Sequence, residues 1–339
     1  MEVAKVLETS IIAIGGYKKL NDISDDLLNY VFLNQKNECG AICWVGNPEI
    51  IGPAKVKLPP LHKVAIFREH NPSLVFTNDQ ELMFITWKKC WVLKGMKWVY
   101  HSQFKNTRKN ATVVKMPNGI YVFGGQFFVI SRSFEFLPNG STEWQKGPDI
   151  IEEGVFEASG IAISSTELLL IGGEKAQPKP GLRKLVDNLG TEQFHERKSN
   201  LILKINIETN QCTKIGTLPN LAPYVQSAIF NDKVFITYGS QDFLSETAIL
   251  PLQRFKKSNG EIIAHHDEPV ILKKGGNLNG KAKCRRMGIV RIDGISKLIM
   301  FGTKAPVEQW NEDLNKWEIS EEFQFSSQSE NFAVCYNPM

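Results

Sequence analysis

Short apolar runs separated by polar turns follow one another along most of the chain. The clearest copy extends from Asn118 to Trp144, where the apolar run 120–123 stops at Gly124-Gly125 and a second run, 133–136, leads through another Asn-Gly turn to the tryptophan. Asn-Gly turns favour tight hairpins because both central residues need positive φ, and paired glycines let the backbone pass where a Cβ would clash. The pattern therefore predicts strand, double glycine, strand, turn and tryptophan.

This unit recurs along the chain. The run that ends in glycines, or in residues that replace them, occurs six times: SIIAIGGY at 10–17, LMFITW at 82–87, YVFGG at 121–125, LLLIGG at 168–173, VFITYGS at 234–240 and LIMFGT at 298–303. Each of the last five copies follows another apolar strand and precedes a third, often with a fourth. Four short strands cannot bury both faces of their sheet alone, so we expect the sheets to stack as the blades of a propeller.

The repeated unit resembles the kelch repeat, in which a buried strand ends in a glycine pair and a tryptophan follows further on. The resemblance covers nearly the whole chain and implies an all-β fold, a six-bladed β-propeller of four-stranded antiparallel blades in a single domain, 1–339. The expected blades are 1–62 plus 330–337, 63–104, 105–150, 151–220, 221–275 and 276–329, with an insertion at 174–200.

The first copy lacks a preceding strand, whereas NFAVCY at 331–336 is a spare apolar strand after the sixth copy. We therefore predict that the C-terminal strand completes the first blade and closes the ring, which leaves no open edge between blades. A seventh blade between Gly16 and Leu82 is the alternative. In the insertion, apolar residues at 182, 185, 186 and 189 have helical spacing and predict a short amphipathic helix, with a disordered loop as the other interpretation.

A net charge of +4 is small for 339 residues, so composition alone does not indicate a nucleic-acid binder. The distribution of charge is more informative. In a propeller, the loops from the second to the third strand and the linkers between blades emerge on one rim, here called the loop rim, and in this chain they carry many of the basic residues. The residues predicted to bind a partner there are Lys18, Lys19, Lys88, Lys89, Arg108, Lys109, Arg183, Lys184, Arg285 and Arg286. Lysines are also common in solvated loops without any partner, and this interpretation stays open.

Candidate chemistry is sparse. His265-His266-Asp267-Glu268 places adjacent side chains on opposite sides of an extended segment, and Cys39 and Cys43 lack a second cysteine pair, so we expect no metal and no cofactor. We find no catalytic constellation, and we expect a non-enzymatic scaffold or adaptor that binds a protein partner, in particular an acidic one. The alternative is a propeller enzyme, a glycoside hydrolase or oxidase-like protein with an axial active site.

Further expectations concern partners and location. Some kelch proteins bind actin, so the resemblance leaves actin open as a partner without any specific support in this sequence. We expect no membrane contact, no nucleic-acid partner and a monomer. No apolar stretch approaches the about 20 residues of a membrane helix, and we expect a cytoplasmic protein, with a nuclear location as the alternative.

Overall fold

The structure is a computed structural model in which antiparallel β-strands dominate. It describes residues 11–14, 41–44, 53–56, 73–79, 81–94, 97–126, 130–151, 154–178, 194–222, 224–240, 243–256, 262–265, 272–279, 286–292, 295–301, 306–320 and 333–336. Two compact units are present: unit 1 comprises 1–101, 242–247 and 275–339, and unit 2 comprises 102–241 and 248–274. Within the described residues, no helix is long and apolar enough to cross a membrane.

The strands are numbered in chain order. They are β1 (Ile11–Ile14), β2 (Ala41–Trp44), β3 (Pro53–Val56), β4 (Ser73–Phe76), β5 (Leu82–Ile85), β6 (Lys89–Lys94), β7 (Lys97–Gln103), β8 (Thr112–Met116), β9 (Gly119–Phe123), β10 (Ser133–Pro138), β11 (Gln145–Asp149), β12 (Val155–Phe156), β13 (Ser159–Ala162), β14 (Glu167–Ile171), β15 (Glu174–Pro178), β16 (Phe194–Lys198), β17 (Leu201–Asn206), β18 (Gln211–Thr217), β19 (Tyr224–Phe230), β20 (Lys233–Ser240), β21 (Phe243–Pro251), β22 (Gln253–Lys256), β23 (Ile262–His265), β24 (Lys273–Lys274), β25 (Arg286–Ile292), β26 (Ile295–Phe301), β27 (Glu308–Asn311), β28 (Lys316–Ile319) and β29 (Ala333–Tyr336).

The fold is an all-β propeller of four-stranded antiparallel blades, as the sequence predicts. The blades formed within 73–319 are β4-β5-β6-β7, β8-β9-β10-β11, β13-β14-β17-β18, β19-β20-β21-β24 and β25-β26-β27-β28. The sequence predicts six blades, whereas this part of the chain forms five. In the rest of the described chain, β1 pairs with β2 on one side and with β29 on the other, in the order β29-β1-β2-β3.

The two described ends of the insertion are strands. Its two ends, β15 and β16, form a hairpin, and β12 from the preceding linker adds to the hairpin as a third strand. The predicted helix at 182–189 lies outside the described residues. A second small sheet, β22-β23, occupies the connection between β21 and β24.

The core of unit 2 lies between successive blades. Along β14, Leu168 and Leu170 face a cluster shared with the β8–β11 blade, while Leu169 and Ile171 face a cluster shared with the β19–β24 blade. Successive side chains of a strand point to opposite faces, so a strand packed on both faces must be apolar at every position. This explains why the sequence shows continuous apolar runs rather than alternation just before the glycine pairs.

Two of the repeat tryptophans join a blade to the segment before it. The Trp144 indole Nε1 donates to Ser102 Oγ at 3.0 Å, and the ring packs edge-on against Phe104 with centroids 4.5 Å apart. In unit 1 the Trp317 Nε1 donates to Thr247 Oγ1 at 2.9 Å. Both indoles are nearly fully buried, so packing accounts for these positions.

The glycine pairs adopt the same unusual backbone in two blades. Gly124 and Gly125 have φ of 62° and 84°, and Gly172 and Gly173 have φ of 65° and 82°. A Cβ on Gly124 would collide with the backbone oxygen of Val155, in the linker that leads to the next blade. The double glycine therefore permits both a left-handed turn and the close passage of the next linker.

We expect Gly124→Ala to lower the free energy of unfolding by about 3 kcal/mol or more, because positive φ and a backbone clash act together. Gly140→Ala is the matched control, since Gly140 also has a φ of 70° but no atom lies within 4 Å of the position of its Cβ. The control should cost about 1 kcal/mol from φ alone. Chemical denaturation of both variants measures the difference. Equal losses of unfolding free energy would show that the close approach of the Val155 linker to Gly124 does not matter for stability.

Candidate partner-binding rim

The loops from second to third strands and the linkers between blades meet in unit 2. The segments that form the loop rim of unit 2 are 105–110, 124–126, 130–132, 150–151, 154–158, 172–178, 194–200, 218–222 and residue 224. Lys109 and Gln126 exchange two backbone hydrogen bonds of 2.8 Å, and the N–H of Gly125 donates to the Val155 oxygen at 2.8 Å. Each loop is thus bonded to a linker on the same rim.

A closed triangle of hydrogen bonds fixes the neighbouring part of the rim. The N–H of Ser199 donates to the oxygen of Gly173 at 2.8 Å, that of Gly173 to Ala222 at 2.9 Å, and that of Ala222 back to Ser199 at 3.0 Å. Asn200 and Leu218 add a reciprocal contact, since Leu218 N–H donates to the Asn200 oxygen and the Asn200 amide donates to the Leu218 oxygen. The linker before β19 is therefore held along its length.

A buried ion pair lies beneath the first part of the rim. Arg108 is 2% exposed and Glu135 is fully buried, and Arg108 Nε donates to Glu135 Oε1 at 3.0 Å. The Nη1 and Nη2 groups donate to the oxygens of Gly124 and Ser133 and to the hydroxyls of Ser131 and Ser133, at 2.8–3.0 Å. Burial of a charge is tolerated when it is paired and hydrogen-bonded, and here both conditions are met.

Glu135 also holds the segment that carries its partner. Its carboxylate accepts the backbone N–H of Lys105 at 2.7 Å and of Asn106 at 3.0 Å. In unit 1 the fully buried Glu308 similarly accepts the N–H of Asn279 at 2.6 Å, and its amide at 3.0 Å. Glu135 and Glu308 occupy equivalent positions, each on the third strand of its blade and opposite a residue that lies two positions before a glycine. In both blades a buried carboxylate therefore fixes the linker that leads into the blade.

Two non-glycine residues with left-handed backbones also pair on this rim. Asn110 and Glu157 have φ of 53° and 59°, and each immediately precedes the inner strand region of its blade. The Asn110 amide donates to Glu157 Oε1 at 2.7 Å, and the Glu157 N–H donates to the Asn110 oxygen at 2.9 Å. Positive φ is uncommon outside glycine and asparagine, so the glutamate conformation is maintained by this pairing.

The side chains that the rim presents to solvent are mainly basic near the ion pair. Lys105, Lys109 and Arg132 are exposed, and Arg132 Nε donates to the Ile151 oxygen at 3.1 Å. Asp149, at the end of β11, is an exposed carboxylate that lies opposite Ser133, the residue after Arg132. The segment 105–109 thus combines a fixed backbone with exposed lysine residues.

The ten residues predicted to bind a partner lie in different environments. The prediction that Arg108 binds a partner is wrong. Its guanidinium is buried and donates hydrogen bonds to Glu135, Gly124, Ser131 and Ser133, so it cannot contact a partner. Lys109 is exposed on the loop rim of unit 2. Lys88, Lys89 and Arg286 are half-buried residues of unit 1; Lys88 lies in the tight turn between β5 and β6, and Lys89 is the first residue of β6. Lys18, Lys19, Arg183, Lys184 and Arg285 lie outside the described residues.

Several residues that determine the rim were not predicted to do so. Glu135 interrupts an apolar run in the sequence, and a charge in such a position could have indicated a buried partner. Asn110 and Glu157 give no comparable signal, because their role depends on backbone conformation. Among the described residues there is no group of three or more His, Cys, Asp or Glu side chains that could hold a metal ion.

Glu135→Gln should lower the free energy of unfolding by about 3 kcal/mol or more, because it leaves the buried Arg108 charge without a counter-charge. Glu81→Gln is the control, since Glu81 pairs with Lys94 at 3.3 Å in a partly exposed bridge. Such a bridge contributes about 1 kcal/mol or less. Denaturant titration of both variants tests this, and a loss at Glu135 no larger than at Glu81 would contradict a structural role for the buried pair.

Comparison with solved structures supports the β-propeller fold. No protein-family description matches the sequence. No curated protein matches it either. Among solved structures, 481 chains are similar. One of them, described as the structure of YjhT, has a TM-score of 0.54 and 13% sequence identity over 76% of this chain and 84% of its own. At this identity the likeness concerns the β-propeller fold alone.

Proposed function

We propose that this protein is a kelch-type β-propeller that acts without catalysis as an interaction module and binds an acidic protein partner on the loop rim of unit 2. The observation that carries the proposal is the segment 105–109. Its backbone is bonded to buried Glu135, and Arg108 within it makes five hydrogen bonds, while Lys105 and Lys109 on either side are exposed.

A fixed backbone that carries exposed charges suits recognition. Ordering a loop on binding costs free energy, and a loop that is already ordered avoids that cost. Basic groups on a rim raise the rate of association with acidic partners, and this effect weakens as salt screens the charges. The arrangement therefore favours an acidic surface or segment of another protein.

The kelch assignment is supported by the glycine pairs. In two blades the second glycine donates its N–H to the linker of the following blade, from Gly125 to Val155 and from Gly173 to Ala222, with matching φ values. Trp144 follows the first of these pairs and Trp317 belongs to the β25–β28 blade, and both indoles are buried against the preceding segment. These are the positions on which the sequence resemblance was based.

Double charge reversal tests the binding proposal. We expect Lys105→Glu with Lys109→Glu to abolish capture of a partner from source cells, because the basic segment becomes acidic. The matched control is Lys146→Glu with Lys214→Glu, which makes the same change of net charge on the exposed faces of β11 and β18. The captured complex should also dissociate when ionic strength is raised several-fold. If the rim variant captures the same proteins as the control, or capture is insensitive to salt, the acidic-partner proposal is wrong.

We further propose that the sheet β29-β1-β2-β3 is a sixth blade, with the C-terminal strand as its inner strand. Support comes from the pairing of β29 with β1 over four residues, from Ile11 opposite Tyr336 to Ile14 opposite Ala333, and from the position of β29 next to β4 and β25. Inner strands of neighbouring blades, such as β8 and β13 in unit 2, are adjacent in the same way.

Deletion of 331–339 should remove cooperative unfolding or lower the melting temperature strongly, because β1 would lose one of its two partner strands and β4 and β25 would lose a neighbour. Deletion of 337–339 alone, beyond β29, is the control and should have little effect. Calorimetry of both truncated proteins provides the measurement. A 331–339 deletion as stable as the full chain would refute the sixth blade.

A further inference from the structure

Two Asn-Gly turns lie side by side in the β8–β11 blade. Asn118-Gly119 connects β8 to β9, and Asn139-Gly140 lies in the connection from β10 to β11. The backbone N–H of Asn139 donates to the Asn118 oxygen at 3.1 Å, so the two turns are in direct contact. An asparagine amide is most readily lost when glycine follows, because glycine has no Cβ to hinder attack by its own backbone nitrogen. The blade therefore contains two chemically equal candidates for deamidation.

The reaction consumes one water molecule and releases one ammonia, and nothing is oxidised or reduced. The backbone nitrogen of the glycine loses its proton and attacks the side-chain amide carbon of the asparagine, which closes a succinimide ring and expels ammonia. Water then opens the ring at either carbonyl and leaves aspartate or isoaspartate. Ring closure needs a glycine N–H without an acceptor, space around the glycine, and stabilisation of the negative charge that develops on the amide oxygen.

The structure protects the first turn. Gly119 is the buried first residue of β9 and pairs with β8 on one side and with β10 on the other. A Cβ on Gly119 would collide with the Leu137 oxygen, so the backbone at this step has no room to rearrange. The Asn118 amide is engaged as well, since it donates to the Tyr121 hydroxyl at 3.0 Å.

The second turn is open. Asn139 and Gly140 are both exposed, and no atom lies within 4 Å of the position of a Cβ on Gly140. The Ser141 N–H donates to the Pro138 oxygen at 3.1 Å and Gly140 has a φ of 70°, as in a type II turn. Within the described residues, the N–H of Gly140 has no acceptor. Its nitrogen can therefore lose the proton without breaking a hydrogen bond of the protein.

A lysine lies at the oxygen of the Asn139 amide. The Lys115 Nζ donates to Asn139 Oδ1 at 3.3 Å, and Asn139 Nδ2 donates to the Pro117 oxygen at 2.6 Å. These partners fix the orientation of the amide, because an ammonium group only donates and a carbonyl oxygen only accepts. The positive charge is thus placed where negative charge develops during ring closure, and it stabilises the transition state more than the neutral amide.

We propose that Asn139 is a site of spontaneous deamidation assisted by Lys115, while Asn118 in the same blade is protected. The product carries a carboxylate that faces the Lys115 ammonium and has no N–H for the Pro117 oxygen. Where isoaspartate forms, the main chain runs through the former side chain, so the turn at 138–141 also changes shape. The site belongs to none of the segments of the loop rim, and the proposal is independent of partner binding.

Peptide mapping by mass spectrometry tests the proposal on the full chain incubated near neutral pH. Asn139 should be converted to aspartate and isoaspartate, while Asn118 in the same molecules stays intact. In denaturant the two asparagines should react at similar rates, because the protection of Asn118 is lost on unfolding. Lys115→Met should slow the conversion of Asn139 several-fold, and Lys115→Arg, which keeps the charge, should restore most of the rate. Lys94→Met is the matched control, because it removes an exposed lysine from the β4–β7 blade, and it should leave the rate unchanged.

Each other outcome contradicts part of the proposal. Equal conversion of Asn118 and Asn139 in the folded protein, or an intact Asn139 under conditions that modify the denatured chain, would overturn the assigned site. An unchanged or faster reaction in Lys115→Met would show that the ammonium only restrains the side chain and would overturn its assistance. Thermal unfolding of the Lys115 variants confirms that the rates refer to folded protein, and the Asn118 peptide reports any unfolding within the same sample.

Discussion

The hydrogen bond from the second glycine of one blade to the linker of the next is the interaction on which the rim of unit 2 depends. It is made by Gly125 to Val155 and by Gly173 to Ala222, and in both cases the donor has a left-handed backbone. The left-handed turn brings the N–H to the linker, and the missing Cβ allows the linker to approach. Loops and linkers, which in many proteins vary freely, are thereby tied to the blade core.

Buried carboxylates fix two further linkers. Glu135 holds 105–106 and Arg108, while Glu308 holds Asn279, so each linker is fixed by a group that lies within a third strand. Arginine suits this position because its planar guanidinium can donate in several directions at once, here to a carboxylate, two backbone oxygens and two hydroxyls. A lysine could not satisfy the same set. The network contributes specificity of position rather than a large net stability, since desolvation of both charges offsets much of their attraction.

The sequence predicts the fold better than the site. Strands and blades follow from local signals: Asn118-Gly119, Gly124-Gly125 and the apolar runs around them each determine a turn or strand within a few residues. The role of Arg108 could not be read in this way, because an arginine in a polar loop looks the same whether it faces solvent or a carboxylate 27 residues further along the chain. The 56% exposure of Leu221 could not be predicted for the opposite reason, since an apolar residue is ordinarily assigned to the core. The pairing of β29 with β1 was accessible from the sequence because the first copy lacks a strand and the end of the chain has a spare one.

The triangle of Ser199, Gly173 and Ala222 has a consequence for how such a surface can evolve. Each of its three members comes from a different stretch of the chain, so a substitution that moves any one backbone displaces the other two. A change of side chain at a position such as 198 or 221 leaves these backbone hydrogen bonds available, whereas a change in loop length within the triangle disrupts them.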